Sequence, residues 1–143
     1  MTRTLLSAAL VASFAIVHLG AHHSYPGFEP TSTVFEGRVE SLTIANPHTL
    51  VDLKAADGQR YRLILMAAAG FRRFFAHGAG ELATRIGVND TLVVSGRLKR
   101  GAELIEVCSA QIDDAQGTPI YPPNRPSITR LQEPEQQSAA SFR

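Results

Sequence analysis

The chain has 143 residues, 44% of them apolar, which suits one globular domain and is too apolar for a disordered chain. Fourteen Lys and Arg stand against thirteen Asp and Glu, and loss of Arg3 with an N-terminal leader would leave the two signs equal. Phosphate contacts need a cationic excess and base stacking needs aromatic faces. Balanced charge, 7% aromatic content and no Trp therefore argue against a nucleic-acid binder.

Arg3 is followed by an apolar run from Leu5 to Val17 and then by His18, Leu19, Gly20 and Ala21. A positive end, a short apolar core and a small residue are the order of a secretory signal, here cut after Ala21, and the expected location is periplasmic. The run falls short of the roughly 20 apolar residues that span a bilayer, so a retained anchor is the lesser reading and no stable membrane span is expected after the cut. The single cysteine, Cys108, allows neither a lipid-attachment site after the leader nor an internal disulfide. It reads as a small buried hydrophobe rather than a ligand or nucleophile.

Residues 22–32, with Pro26, Gly27 and Pro30, read as an irregular arm. From Thr33 to Ala45, Phe35, Gly37 and Val39 alternate with Glu36, Arg38 and Glu40, which predicts a long strand. Past Glu40 the apolar phase slips to Leu42 and Ile44, so a bulge there would keep both sets on one interior. A second strand is predicted from His48 to Ala56, and Asp57-Gly58 signals a tight primed hairpin turn into a third, Arg60 to Met66. Ala67 to Ile86, rich in Ala and broken by Gly, favours one or two short helical pieces. Strand alternation returns from Thr91 to Lys99, turns at Arg100-Gly101 and resumes from Glu103 to Ile112. From Gln116 onward, Pro119, Pro122, Pro123 and Pro126 break any ladder, so residues 116–143 read as a strap and disordered tail, from which Ile120 and Tyr121 could still pack on the body. Three strands, a helical connection and two strands match an all-β, five-stranded OB-like Greek-key barrel over residues 33–115. An immunoglobulin-like sandwich needs about seven strands and no helix.

Histidines are the side chains best placed for chemistry. A cut after Ala21 makes His22 the new N-terminus, offering an amine and a ring nitrogen from one residue, with His23 beside it. Such nitrogen donors suit Cu(II), or another late transition metal, better than zinc or calcium, for which thiolate or carboxylate clusters would be expected. His48, in Asn46-Pro47-His48, is the natural further imidazole, with Pro47 fixing the backbone before it. The plainer alternative makes His22 and His23 solvated residues of an arm and His48 a strand cap or a partner of a backbone carbonyl. His77, on the Gly-containing connection, is expected to be exposed.

Arg72 and Arg73 could receive an anionic ligand at the barrel mouth, although a solvated helical face is the simpler reading. Ser24 and Ser95 have no base and acid at recognisable spacing, and the scattered acids show no paired-carboxylate logic.

Ala21-His22-His23-Ser24 with Tyr25, then Asn46-Pro47-His48, then Gly70 to Arg73, then the turn before Thr91 to Gly96, resemble a domain-of-unknown-function family of small exported bacterial proteins. The resemblance runs from about His22 to Tyr121. This chain has Ile44 and Ala45 where that family often carries a Trp before Asn-Pro-His, and a longer connection around Ala76 to Gly80. A ligand pocket walled by that Trp is therefore not expected here. The family implies no reaction, but it supports reading the histidines together.

Three functions follow as expectations. The first is a periplasmic binding module for copper or another late transition metal through His22, His23 and His48. The second is a metal-free module for a small ligand or a periplasmic protein on the barrel face. The third is a copper-dependent oxidative enzyme, for which only the terminal-histidine geometry argues.

Overall fold

A computed structural model describes residues 26–128. The leader, His22, His23 and Ser24 lie outside the described residues, as does the tail from residue 129 onward.

Six strands form in order: β1 (Ser32–Thr43), β2 (Leu50–Lys54), β3 (Arg60–Ile64), β4 (Thr91–Arg100), β5 (Leu104–Asp114) and β6 (Pro119–Tyr121). A 3-10 helix, Ala68–Arg73, and α1, Ala79–Arg85, connect β3 to β4. Antiparallel pairing runs β3-β2-β1-β4-β5-β6, and a parallel β3–β5 pairing closes the first five strands into a barrel. This is the expected OB-like barrel, with one strand added.

The long first strand serves two neighbours. Its N-terminal half pairs with β4 and its C-terminal half with β2. The register against β2 shifts between Val39 and Ser41, so Glu40 is the extra residue of the bulge that the phase slip implied. Leu42 packs on the core. Ile44 does not: β1 ends at Thr43, and Ile44 is left 38% exposed in the following loop.

Alternating side chains fill the interior. Val39, Val51, Leu53, Leu63, Leu92, Val94, Val107 and Ile112 are all buried, and Phe71, Phe75, Leu82 and Ile86 from the helical connection cover one end. The β2–β3 hairpin differs from the tight primed turn. Gly58 N–H bonds Ala55 O at 3.0 Å and Ala55 N–H bonds Gln59 O at 2.9 Å. Gly58 alone in this turn has positive φ, 90°, so one left-handed residue closes a three-residue loop and Asp57 keeps an ordinary backbone.

The strap is more than a loose cover. Ile120 and Tyr121 are buried on β6, which pairs with the end of β5. Beyond them Ile128 is 1% exposed, and its N–H bonds Asp113 Oδ2 at 2.6 Å. The packed body therefore continues past residue 115 to Ile128, beyond the point where proline spacing ends the strand pattern. Among the described residues no helix is long and apolar enough to cross a membrane.

Candidate functional site

The β2–β3 ladder is irregular where it reaches His48. Leu65 N–H bonds Thr49 O at 2.9 Å, but Thr49 N–H passes over Leu65 and bonds Met66 O at 3.0 Å. A regular antiparallel pair would return that bond to Leu65 O. The released carbonyl is taken by His48, whose Nδ1 lies 3.2 Å from Leu65 O. A carbonyl oxygen only accepts, so Nδ1 carries the proton and, in the neutral ring, Nε2 presents a lone pair. Both the carbonyl-partner alternative and the ligand reading of His48 are compatible with this bond. Metal-bound imidazoles commonly donate their other N–H to a carbonyl or carboxylate.

His48 lines a groove of about 370 Å³. The groove arises because the parallel β3–β5 register ends at Leu63 and Val107, beyond which the two strands part. Met66 and Ala67 form one wall, Ser109 and Gln111 the other, and Tyr121 and Pro122 of the strap close it. The Asn46–Pro47 and Tyr121–Pro122 peptide bonds are both cis, and both prolines line the groove. Tyr121 is held by rings: Phe71 at 5.6 Å and Phe74 at 5.7 Å between centroids. Ser109 and Gln111 escaped the sequence reading because polar side chains alternating outward on a strand look like ordinary solvent-facing positions. Ser109 also takes φ of 52°, where the β4–β5 register shifts opposite Gly96.

The remaining sequence candidates are scattered. Arg72 and Arg73 are exposed on the 3-10 helix, and neither lines this groove. His77 is exposed, as expected. Cys108 is 1% exposed, and burial pushes its thiol pKa up, which keeps it protonated and unreactive at neutral pH. Among the described residues no three His, Cys, Asp or Glu side chains converge on a metal position. His22 and His23, the further imidazoles expected beside His48, lie outside the described residues.

Outside the groove, the barrel surface carries ion pairs. Asp52 on β2 accepts from Arg62 on β3 at 2.7 and 3.1 Å and from the Ser41 hydroxyl at 3.1 Å. The hydrogen bond from Arg62 holds the Asp52 carboxyl below the usual range, against a smaller opposing effect of burial. No protein-family model matches the chain, and no curated protein matches it in sequence.

Proposed function

We propose that the chain is an exported OB-like binding module that holds a late transition metal, Cu(II) first among them. The ligands would be the amine and ring of His22, freed by cleavage after Ala21, together with His23 or His48. The observation that carries this reading is the His48 Nδ1–H bond to Leu65 O, which fixes the ring and leaves Nε2 as the donor at a groove.

Chain length is consistent with His22 coming to the groove. Gly27 lies against the Lys99 side chain, and Lys99 pairs with Glu106, three residues before Ser109 on the groove wall. Strand geometry makes this gap roughly 10 Å along the strand and roughly 10 Å across two strand spacings, about 14 Å in all. The five residues from His22 to Pro26 can extend about 17 Å. The extended segment is therefore long enough to bring His22 to the Ser109 wall of the groove that His48 also lines.

The test is a Cu(II) titration against a competing chelator, with electron paramagnetic resonance to count nitrogen ligands. N-terminal sequencing of exported protein should first give His22. His48→Ala should then weaken binding at least tenfold, equivalent to about 1.4 kcal/mol. One residue added ahead of His22 should do similar damage by moving the amine. Equal affinity in all three proteins would overturn the metal reading. The groove itself favours the second reading, a metal-free module for a small ligand seated among Tyr121, Gln111 and Ser109.

A further inference from the structure

A second opening of about 350 Å³ straddles β1 where β2 ends and β4 begins. It is lined by Arg38 of β1, Lys54, Ala55 and Ala56 at the end of β2, Thr91 at the start of β4, and Glu36. The register sets Arg38 directly opposite Lys54 on one side and Thr91 on the other. Like charges facing each other across an antiparallel pair repel, and Lys54 also faces Arg60 across the β2–β3 pair. Arg60 pairs with Glu40, Arg62 with Asp52, Lys99 with Glu106 and Arg100 with Glu29. Among the described residues, neither Arg38 nor Lys54 has a carboxylate within ion-pair distance. Glu36 shares the opening, two positions along the same strand face, without meeting either cation. The small side chains of Ala55 and Ala56 leave room between the charges.

We infer that Arg38 and Lys54, with the Thr91 hydroxyl, form a binding site for a compact oxyanion, a carboxylate or phosphate group. Two cations and a hydroxyl supply convergent donors, and a bound anion relieves the repulsion across the ladder. Glu36 repels any bound anion, so its charge weakens the site without abolishing it. It is separate from the His48 groove and stands whether or not metal binds there.

The test is an NMR titration of the intact protein with acetate and, separately, with inorganic phosphate at constant ionic strength. Shifts should saturate and concentrate at the amides of Arg38, Ala55 and Thr91. Stronger binding of acetate assigns the site to carboxylates, and stronger binding of phosphate assigns it to phosphate monoesters. Arg38→Gln and Lys54→Gln should each weaken binding at least fivefold, and Glu36→Gln should tighten it at least twofold. Arg72→Gln, which removes an exposed cation elsewhere, should change nothing. Linear shifts spread over the surface, equal losses in Arg72→Gln and Arg38→Gln, or no gain in Glu36→Gln would overturn the site. Preserved dispersion in each variant's spectrum separates lost binding from lost fold.

Discussion

Asp113, wholly buried on β5, accepts a hydrogen bond from the guanidinium of Arg125, and the same carboxylate takes the Ile128 N–H at 2.6 Å. Arg125 also reaches Tyr121 O at 3.3 Å. One buried carboxylate thus ties the strap to the barrel at two points, the Arg125 side chain and the Ile128 backbone. Removing one member of such a pair strands a charge in the interior. Arg125→Ala is expected to destabilise the protein by about 3 kcal/mol. For a domain of this size that lowers the melting temperature by roughly 12 °C or more, which calorimetry would read directly. Ile128→Ala should cost about 2 kcal/mol or more through its cavity. A cut after Ser127 should therefore lower the melting temperature as well, because the strap's anchor lies just beyond the cut. Unchanged melting in these proteins would show that the strap is not held this way.

Asp52 and Arg62 lead to a prediction in pH. The Asp52 carboxyl is held below its ordinary value of 3.8, chiefly by the hydrogen bond from Arg62. A carboxylate with a lowered folded-state pKa adds stability above its unfolded pKa and loses that stability as pH falls through the folded value. The contribution should therefore be full at neutral pH and disappear below about pH 4, in the range set by that ordinary value. Arg62 is 39% exposed, so solvent screening limits the contribution to about 0.5–1 kcal/mol. Urea unfolding of wild type and Asp52→Asn should show a gap at pH 6 that closes by pH 2.5. A gap of constant size would assign the loss to packing.

The bulge at Glu40 and the barrel strands were legible because apolar alternation and its slip mark both strand and register. The Asp57-Gly58 hairpin was legible in place but not in type, since the same dipeptide serves a two-residue turn and a three-residue loop. Ile44 was misplaced because nothing local marks β1 stopping at Thr43. The Asp113–Arg125 pair and the wall of Ser109 and Gln111 depend on contacts between segments far apart in the chain. The proline-rich strap conceals the first, and outward alternation conceals the second. His48 was legible as a residue of interest, but its partner was not, because Leu65 O becomes free only through a bulge in the opposite strand.

Gly96 is confined by its neighbours. A Cβ added there would clash with Val107 Cγ1 and lie 3.2 Å from Cys108 O. Both neighbours belong to β5, where the β4–β5 register shifts between Ser95 and Arg97. Gly96→Ala is expected to destabilise the barrel by about 2–3 kcal/mol through overpacking. Val107→Ala removes the nearest atom at its own cavity cost, so Gly96→Ala should cost at least 1 kcal/mol less in that background. Denaturant unfolding of the four proteins in the double-mutant cycle measures the coupling. Strict additivity would mean that the Cys108 carbonyl, not the Val107 methyl, sets the limit.

His48 has two separable roles, and stability measurements distinguish them. Without metal, His48→Ala loses one hydrogen bond to Leu65 O from an exposed side chain, and the carbonyl beside an open groove can turn to water. The expected cost is about 0.5–1 kcal/mol. With Cu(II) held at one hundred times its dissociation constant, the mature wild-type protein should gain about 2.7 kcal/mol, because the ion binds the folded state. His48→Ala should lose most of that gain at the same free copper concentration. His48→Gln is the informative companion, since its amide N–H can still reach a carbonyl but it offers no imidazole nitrogen. His48→Gln should therefore restore metal-free stability without restoring the copper increment. If His48→Gln keeps the increment, His48 serves the Leu65 carbonyl alone and the metal ligands lie elsewhere. If wild type gains nothing from copper while His48→Ala still costs stability, the hydrogen bond is the whole of its role.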